Sequence, residues 1–135
     1  MRGLRTHALL GALWLLGACG GGVTAAQQDQ LKQRLRDALA ADVHDRAERD
    51  DHSRTLAEVA DSGMLEGMSR DQIRAALGPG QACRAELCSK NGFSDGDWMY
   101  EIGVNAAADV KQLPVLIIGF DPRGRAARVW TLTTH

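Results

Sequence analysis

Leu16-Gly17-Ala18-Cys19 decides how much of this chain is available to fold. Arg2, Arg5 and His7 give a positively charged start, and Ala8 to Leu16 is almost wholly apolar, interrupted only by Gly11. Two small residues and a cysteine follow, the layout of a secretory signal with a small-residue cleavage site. The apolar run is about nine residues, or roughly 14 Å as a helix, against the roughly 30 Å of a membrane span. Residues 1–18 therefore read as a cleaved signal peptide and not as a transmembrane anchor. Cleavage before Cys19 leaves 117 of the 135 residues, enough for one small domain with a tail.

The order Leu-Gly-Ala-Cys resembles the bacterial lipobox, which implies diacylglycerol on Cys19 and a protein held to a membrane by lipid. Gly20 follows the cysteine. Aspartate there is the usual inner-membrane retention signal in enteric bacteria, so the expected location is the periplasmic face of the outer membrane. The chain has three cysteines, and assigning Cys19 to lipid leaves Cys83 and Cys88 as an even pair whose disulfide an oxidising periplasm favours. Their C-x4-C spacing lacks the C-x-x-C redox pattern, and no second ligand pair for zinc lies nearby. Sixteen basic side chains stand against seventeen acidic ones, and two of the sixteen, Arg2 and Arg5, belong to the leader; the remainder carries a formal charge of −3. No basic excess exists to neutralise phosphates, which argues against nucleic acid as a partner.

Residues 19–26 read as a short flexible tether after the lipid. From Gln27 to Asp51 there is neither glycine nor proline, and Ala, Leu, Gln, Arg and Asp dominate. A long charged helix is expected over 27–54, with a thin apolar seam at Leu31, Leu35, Ala38, Leu39 and Val43, serving as a stalk or a partner-binding helix. Ser53 or Thr55 is expected to cap a second helix carrying Leu56, Val59 and Ala60. Ser69-Arg70-Asp71-Gln72 is a capping-box pattern opening a third helix, with Ile73, Ala76 and Leu77 on its buried face and Gly78-Pro79-Gly80 ending it. Strands follow at Trp98–Val104, where Trp98, Tyr100, Ile102 and Val104 share a face, and at the continuous apolar run Val115–Phe120. A turn at Asp121-Pro122-Arg123-Gly124 leads into an alternating strand over 128–133, so the last two strands form an antiparallel hairpin. The expected fold is α+β in two layers: helices packed on a three-stranded, or four-stranded, antiparallel sheet, with the domain proper over 55–135.

Gly67-Met68-Ser69 followed by Ile73, Leu77, Gly78 and Pro79 resembles the signature of the SmpA/OmlA, or BamE-like, family of outer-membrane lipoprotein domains. The likeness continues through Trp98-x-Tyr100, the apolar strand ending Phe120-Asp121, Gly124 and the last strand, covering residues 55 to 133. The pattern has a physical reading. Gly67 permits a tight link between helices, Met68 plugs the core beneath it, Ser69 satisfies free amides, and Gly78 closes the helix in a left-handed conformation. All are fold-making roles. The long segment 27–54 and the two cysteines are departures from the family pattern, and none of the family's partner-contact positions can be matched here.

Candidate chemistry is sparse. His44, Glu48 and His52 fall at i, i+4 and i+8 on the expected long helix and could offer metal ligands. His44 and His52 would lie about 12 Å apart along such a helix, so one zinc could take only two of the three, and the stripe reads first as a solvated, ion-paired face. Asp95 and Asp97 near Gly92 and Gly96 read as a turn, since the remaining oxygens of a calcium loop are missing. Ser62, Ser69 and Ser94 show no nucleophile arrangement, and His135 is the terminal residue. No catalytic residue, cofactor or metal is expected. The reading is a non-enzymatic, lipid-anchored envelope protein that binds other proteins, the outer-membrane assembly machinery among the candidates, through a sheet face around Trp98, Tyr100 and Trp130. The alternatives are an inhibitor-type module, resembling beta-lactamase inhibitor proteins, and a metal-binding protein using the His44 stripe.

Overall fold

A computed structural model describes residues 24–107, 110 and 112–133. The expected signal peptide, Cys19 and His135 lie outside the described residues. The elements run α1 (Ala25–Ala40), β1 (Asp42–Val43), α2 (Arg46–Ser62), α3 (Arg70–Leu77), β2 (Gln81–Ala82), α4 (Glu86–Lys90), β3 (Trp98–Glu101), β4 (Val104–Asn105), β5 (Val115–Phe120) and β6 (Ala126–Leu132). Four strands form an antiparallel sheet in the order β2-β3-β5-β6, and β1 pairs with β4 as a separate parallel ladder. The α+β class and the β5–β6 hairpin are as expected.

The first helices differ from expectation. No single helix covers 27–54; α1 starts earlier, at a capping box between Thr24 and Gln27, and stops at Ala40. Residues 41–45 are extended, and α2 restarts at Asp45, whose side chain accepts from the Glu48 amide. A continuous rod over 25–62 would be roughly 57 Å long, far beyond the span of a small sheet. The break folds it into a hairpin whose two arms both reach the core. It is held by hydrogen bonds that no local pattern announces: the Val104 amide donates to the Ala41 carbonyl at 2.9 Å, and the Ala106 amide to the Val43 carbonyl at 3.0 Å. Val43 is fully buried with Val110 and Leu113. Ser53 and Thr55 lie inside α2, both buried, and the N-cap of that helix is Asp45 instead.

Leu31, Leu35 and Ala38 of α1 join Leu56, Val59, Leu65, Ile73, Tyr100, Ile102, Leu116, Ile118 and Ala126 in one core. The segment read as a stalk is thus part of the domain. Helix α1 rests on α2 and α3, and α2 lies over β6.

The opposite face of the sheet is covered as well, so two layers understate the architecture. Val115 and Ile117 point there and are buried under Cys83, Cys88 and Phe93, contributed by α4 and its flanks. A run such as Val-Leu-Ile-Ile needs both faces shielded, which explains why the strand is apolar throughout rather than alternating. Strand β3 ends earlier than the sequence suggests. Gly103 turns the chain with φ +108°, so Val104 leaves the sheet to pair with β1 and is 51% exposed.

Candidate functional site

The Gly67–Pro79 motif is stitched across the end of the sheet. The Gly67 amide donates to the Ala126 carbonyl and the Ala126 amide to the Met68 carbonyl, both at 2.8 Å, while Arg125 Nη1 donates to the Gly67 carbonyl at 3.0 Å. Ser69 then opens α3 with the full capping box: its hydroxyl accepts from the Gln72 amide, and its own amide donates to Gln72 Oε1. The Arg70 amide donates to the Gly124 carbonyl. Asp121 shapes the turn that receives it, its carboxylate accepting from the amides of Arg123 and Arg125. Met68 and Leu77 border the core and Ile73 is buried within it. Gly78 ends α3 differently from expectation. Its φ of 84° is positive, but ψ is 179°, an extended mirror-image conformation rather than the left-handed helical one.

This stitching sets Arg70 and Arg74 over two aromatic rings. The Arg70 guanidinium lies 3.9 Å from the Phe120 ring centroid and 5.5 Å from that of Trp98, and its Nη1 donates to the Gly96 carbonyl at 2.9 Å. Arg74, one turn on, lies 5.4 Å from the Trp98 centroid. Trp98 and Phe120 meet edge to face, centroids 4.9 Å apart. Gly80 makes room, because a Cβ there would stand 2.6 Å from Trp98 Cβ. Trp98, Phe120 and Arg70 are half-buried and Arg74 is exposed. Each cation–ring contact at such a site is worth about 0.5–1 kcal/mol, and together they form a platform of aromatic rings and guanidinium groups. Surfaces rich in Trp and Arg carry much of the free energy of protein association.

The surface expected around Trp98, Tyr100 and Trp130 is not a single surface. Tyr100 is buried and its hydroxyl donates to the Gly78 carbonyl at 2.9 Å. Burial pushes its phenol up to about 12. Trp130 lies on the other face of the sheet, packed half-buried against the disulfide cluster with Met99, Leu87 and Leu132. The division follows from the pleat: Trp130 pairs with Ile117, whereas Trp98 pairs with Ile118, one residue along the same strand. Only Trp98 belongs to the platform. Arg70, Arg74 and Phe120 were not legible as site residues, since their neighbours lie tens of residues away along the chain.

Cys83 and Cys88 form a disulfide, with Cα atoms 5.6 Å apart. The His44, Glu48 and His52 stripe does not exist as one helical face. His44 precedes the Asp45 cap, and its amide and Nδ1 both meet Glu48 Oε2, at 2.7 and 3.1 Å. The His44 amide is the main cause that lowers the Glu48 carboxyl below its ordinary value. His52 Nδ1 instead lies 3.3 Å from the Ile102 carbonyl oxygen. Among the described residues no three His, Cys, Asp or Glu side chains gather as metal ligands would. Asp97 organises a turn: Oδ2 accepts from the Ser94 amide, Oδ1 from the Phe120 amide, and its carbonyl from the Cys83 amide. Asp95 is exposed. Ser62 accepts from the Met64 amide and donates to the Val59 carbonyl, an end-of-helix role.

A cleft of about 480 Å³ opens between α1 and α2 and is lined by Gln27, Gln30, Arg34, Glu58 and Asp61 among others. At its edge Arg34 donates through both terminal nitrogens to Glu58, at 2.7 and 3.2 Å. That bond lowers the Glu58 carboxyl and raises the Arg34 guanidinium. Among the described residues no helix is long and apolar enough to cross a membrane. Comparison of the chain with protein-family models, with curated proteins and with solved structures finds no match.

Proposed function

We propose that this chain is a lipid-anchored, non-enzymatic envelope protein whose BamE-like α+β domain binds other proteins and serves as a scaffold or modulator of outer-membrane assembly. The Arg70–Phe120–Trp98–Arg74 platform carries the reading. It is partly exposed, and its Trp and Arg side chains are of the kinds that dominate the free energy of protein interfaces. Three further features support it. Leu16-Gly17-Ala18-Cys19 resembles a lipobox, and Gly20 suits sorting to the outer membrane. The order α2, α3, β3, β5, β6 follows the helix-then-sheet layout that the Gly67–Pro79 motif resembles. A lipid tether at Cys19 would also keep the domain close to a membrane-bound partner, since only four residues separate it from the cap at Thr24.

A photo-crosslinking residue in place of Arg74, in the full chain in intact cells, tests the proposal. The expected product is a discrete adduct with an envelope protein, which mass spectrometry places in the assembly machinery and which Trp98→Ala weakens. Absence of any adduct from Arg74, while the chain is folded and present at normal level, overturns it.

A further inference from the structure

We propose that two copies of this chain pair antiparallel along their β6 strands, joining their four-stranded sheets edge to edge. The two edges of the sheet are unlike. The β2 edge is two residues long, a length that blunts pairing, whereas β6 runs for seven. The direction of the β6 backbone can be worked out from its neighbours. The Ile102 amide donates to the Pro114 carbonyl and the Phe120 amide to Asp97 Oδ1, so the even-numbered residues of β5 turn their polar groups toward β3. Val115, Ile117 and Gly119 therefore bond Leu132, Trp130 and Arg128, their partners in register. The amides and carbonyls of Val129 and Thr131 point outward. At Ala126 the outer edge is taken by Gly67 and Met68; at Val129 and Thr131 no partner lies among the described residues.

The surroundings of this edge select a second copy as its occupant. Pairing Val129 with Thr131 of the second copy satisfies the outward groups of both strands and centres the two-fold axis on Trp130. The two Trp130 side chains, half-buried in one copy alone, then face each other at the closely spaced position of the ladder. Helix α2 overhangs the same edge and runs antiparallel to β6. Thr133 shares a cleft of about 230 Å³ with Asp50, Ser53, Arg54 and Ala57, while Ala126 meets the segment beyond the end of α2. Trp130 thus stands level with the stretch between Arg54 and Asp61. These two exposed residues flank small, exposed Ala57 at i−3 and i+4 on one helical stripe, with opposite charges. About the axis, the Arg54 end of each α2 meets the Asp61 end of the other, and Arg54, which pairs with Asp51 of its own helix in a single copy, gains Asp61 of the second copy as a further partner. An unrelated strand would have no reason to match this pattern, whereas a second copy matches it by symmetry.

Tagged and untagged full-length copies, co-expressed and solubilised in detergent, test the pairing by recovery of the untagged copy with the tagged one. Arg54→Asp is expected to cut recovery at least about fivefold by setting acid against acid, and Arg54→Asp with Asp61→Arg to restore it. Thr131→Pro, which removes an outward amide while leaving the β5 ladder intact, is expected to lower recovery as well. Three results overturn the proposal: no recovery by the wild-type chain, recovery indifferent to Arg54→Asp, or no restoration by the double reversal when all variants are folded.

Discussion

The hydroxyl of Tyr100 reaches 2.9 Å to the carbonyl oxygen of Gly78, joining the middle of β3 to the residue that ends α3. The bond explains why a positive-φ glycine stands there: a φ of 84° with ψ near 180° turns that carbonyl back toward the sheet instead of along the helix axis. Tyr100→Phe keeps the ring and deletes the donor. The expected cost is about 1 kcal/mol, read from the urea midpoint at constant slope.

Tyr100 is the chain's sole tyrosine, so its ionisation can be followed directly by ultraviolet absorbance. Burial raises it in the folded protein to about 12, above an unfolded value of about 10. The folded state then holds its proton where the unfolded state has released it. This contribution to stability is complete below pH 10 and falls away as pH rises toward 12. The tyrosinate band should emerge near pH 12 in buffer and near its ordinary value in urea. Tyr100→Phe should flatten this part of the stability profile.

Gly103 sits where β3 hands over to β4. A Cβ there would lie 2.7 Å from Val43 Cγ2 and 3.2 Å from the Ala41 carbonyl, at φ +108°. Gly103→Ala is expected to destabilise by about 2 kcal/mol or more, because strain and overpacking act together. Hydrogen exchange should show the loss first at the Val104 and Ala106 amides, which close the ladder with β1.

Replacing both Cys83 and Cys88 by Ser opens a short loop and should cost about 2 kcal/mol on the chain-entropy model. The cluster of Phe93, Val115 and Ile117 beneath it should loosen while the helical face stays packed. Near-ultraviolet dichroism of Trp130 against Trp98, separated by single Trp→Phe variants, distinguishes the two faces.

Cys19→Ser in the full chain should abolish incorporation of labelled fatty acid and move the protein out of the membrane fraction. Unchanged labelling would contradict the lipobox reading.

Short-range chemistry accounts for what could be read from the residues alone. Ser69 and Gln72, four residues in a row, contain every atom of their capping box. The Asp121–Gly124 turn needs no distant help, and a C-x4-C pair lies within disulfide reach whenever its loop curls. The apolar run Val115–Phe120 could be placed as the central strand because only a strand covered on both faces tolerates it. Leu31, Leu35 and Ala38 showed their spacing, though not what they would be pressed against.

What tertiary structure decided begins at Ala41. No glycine or proline marks a stop between Gln27 and Asp51, and helix propensity alone favours continuation. The helix breaks because burying Val43 and bonding Ala41 and Val43 to Val104 and Ala106, sixty residues on, outweighs the hydrogen bonds of one more turn. The same holds for the platform. Arg70 is simply the first residue of a helix until the folded sheet brings Trp98 and Phe120 beneath it. Caps, turns and burial periodicity are set by neighbours along the chain. Which faces meet, and which aromatics stay accessible, depends on packing that exists only when the whole core has closed.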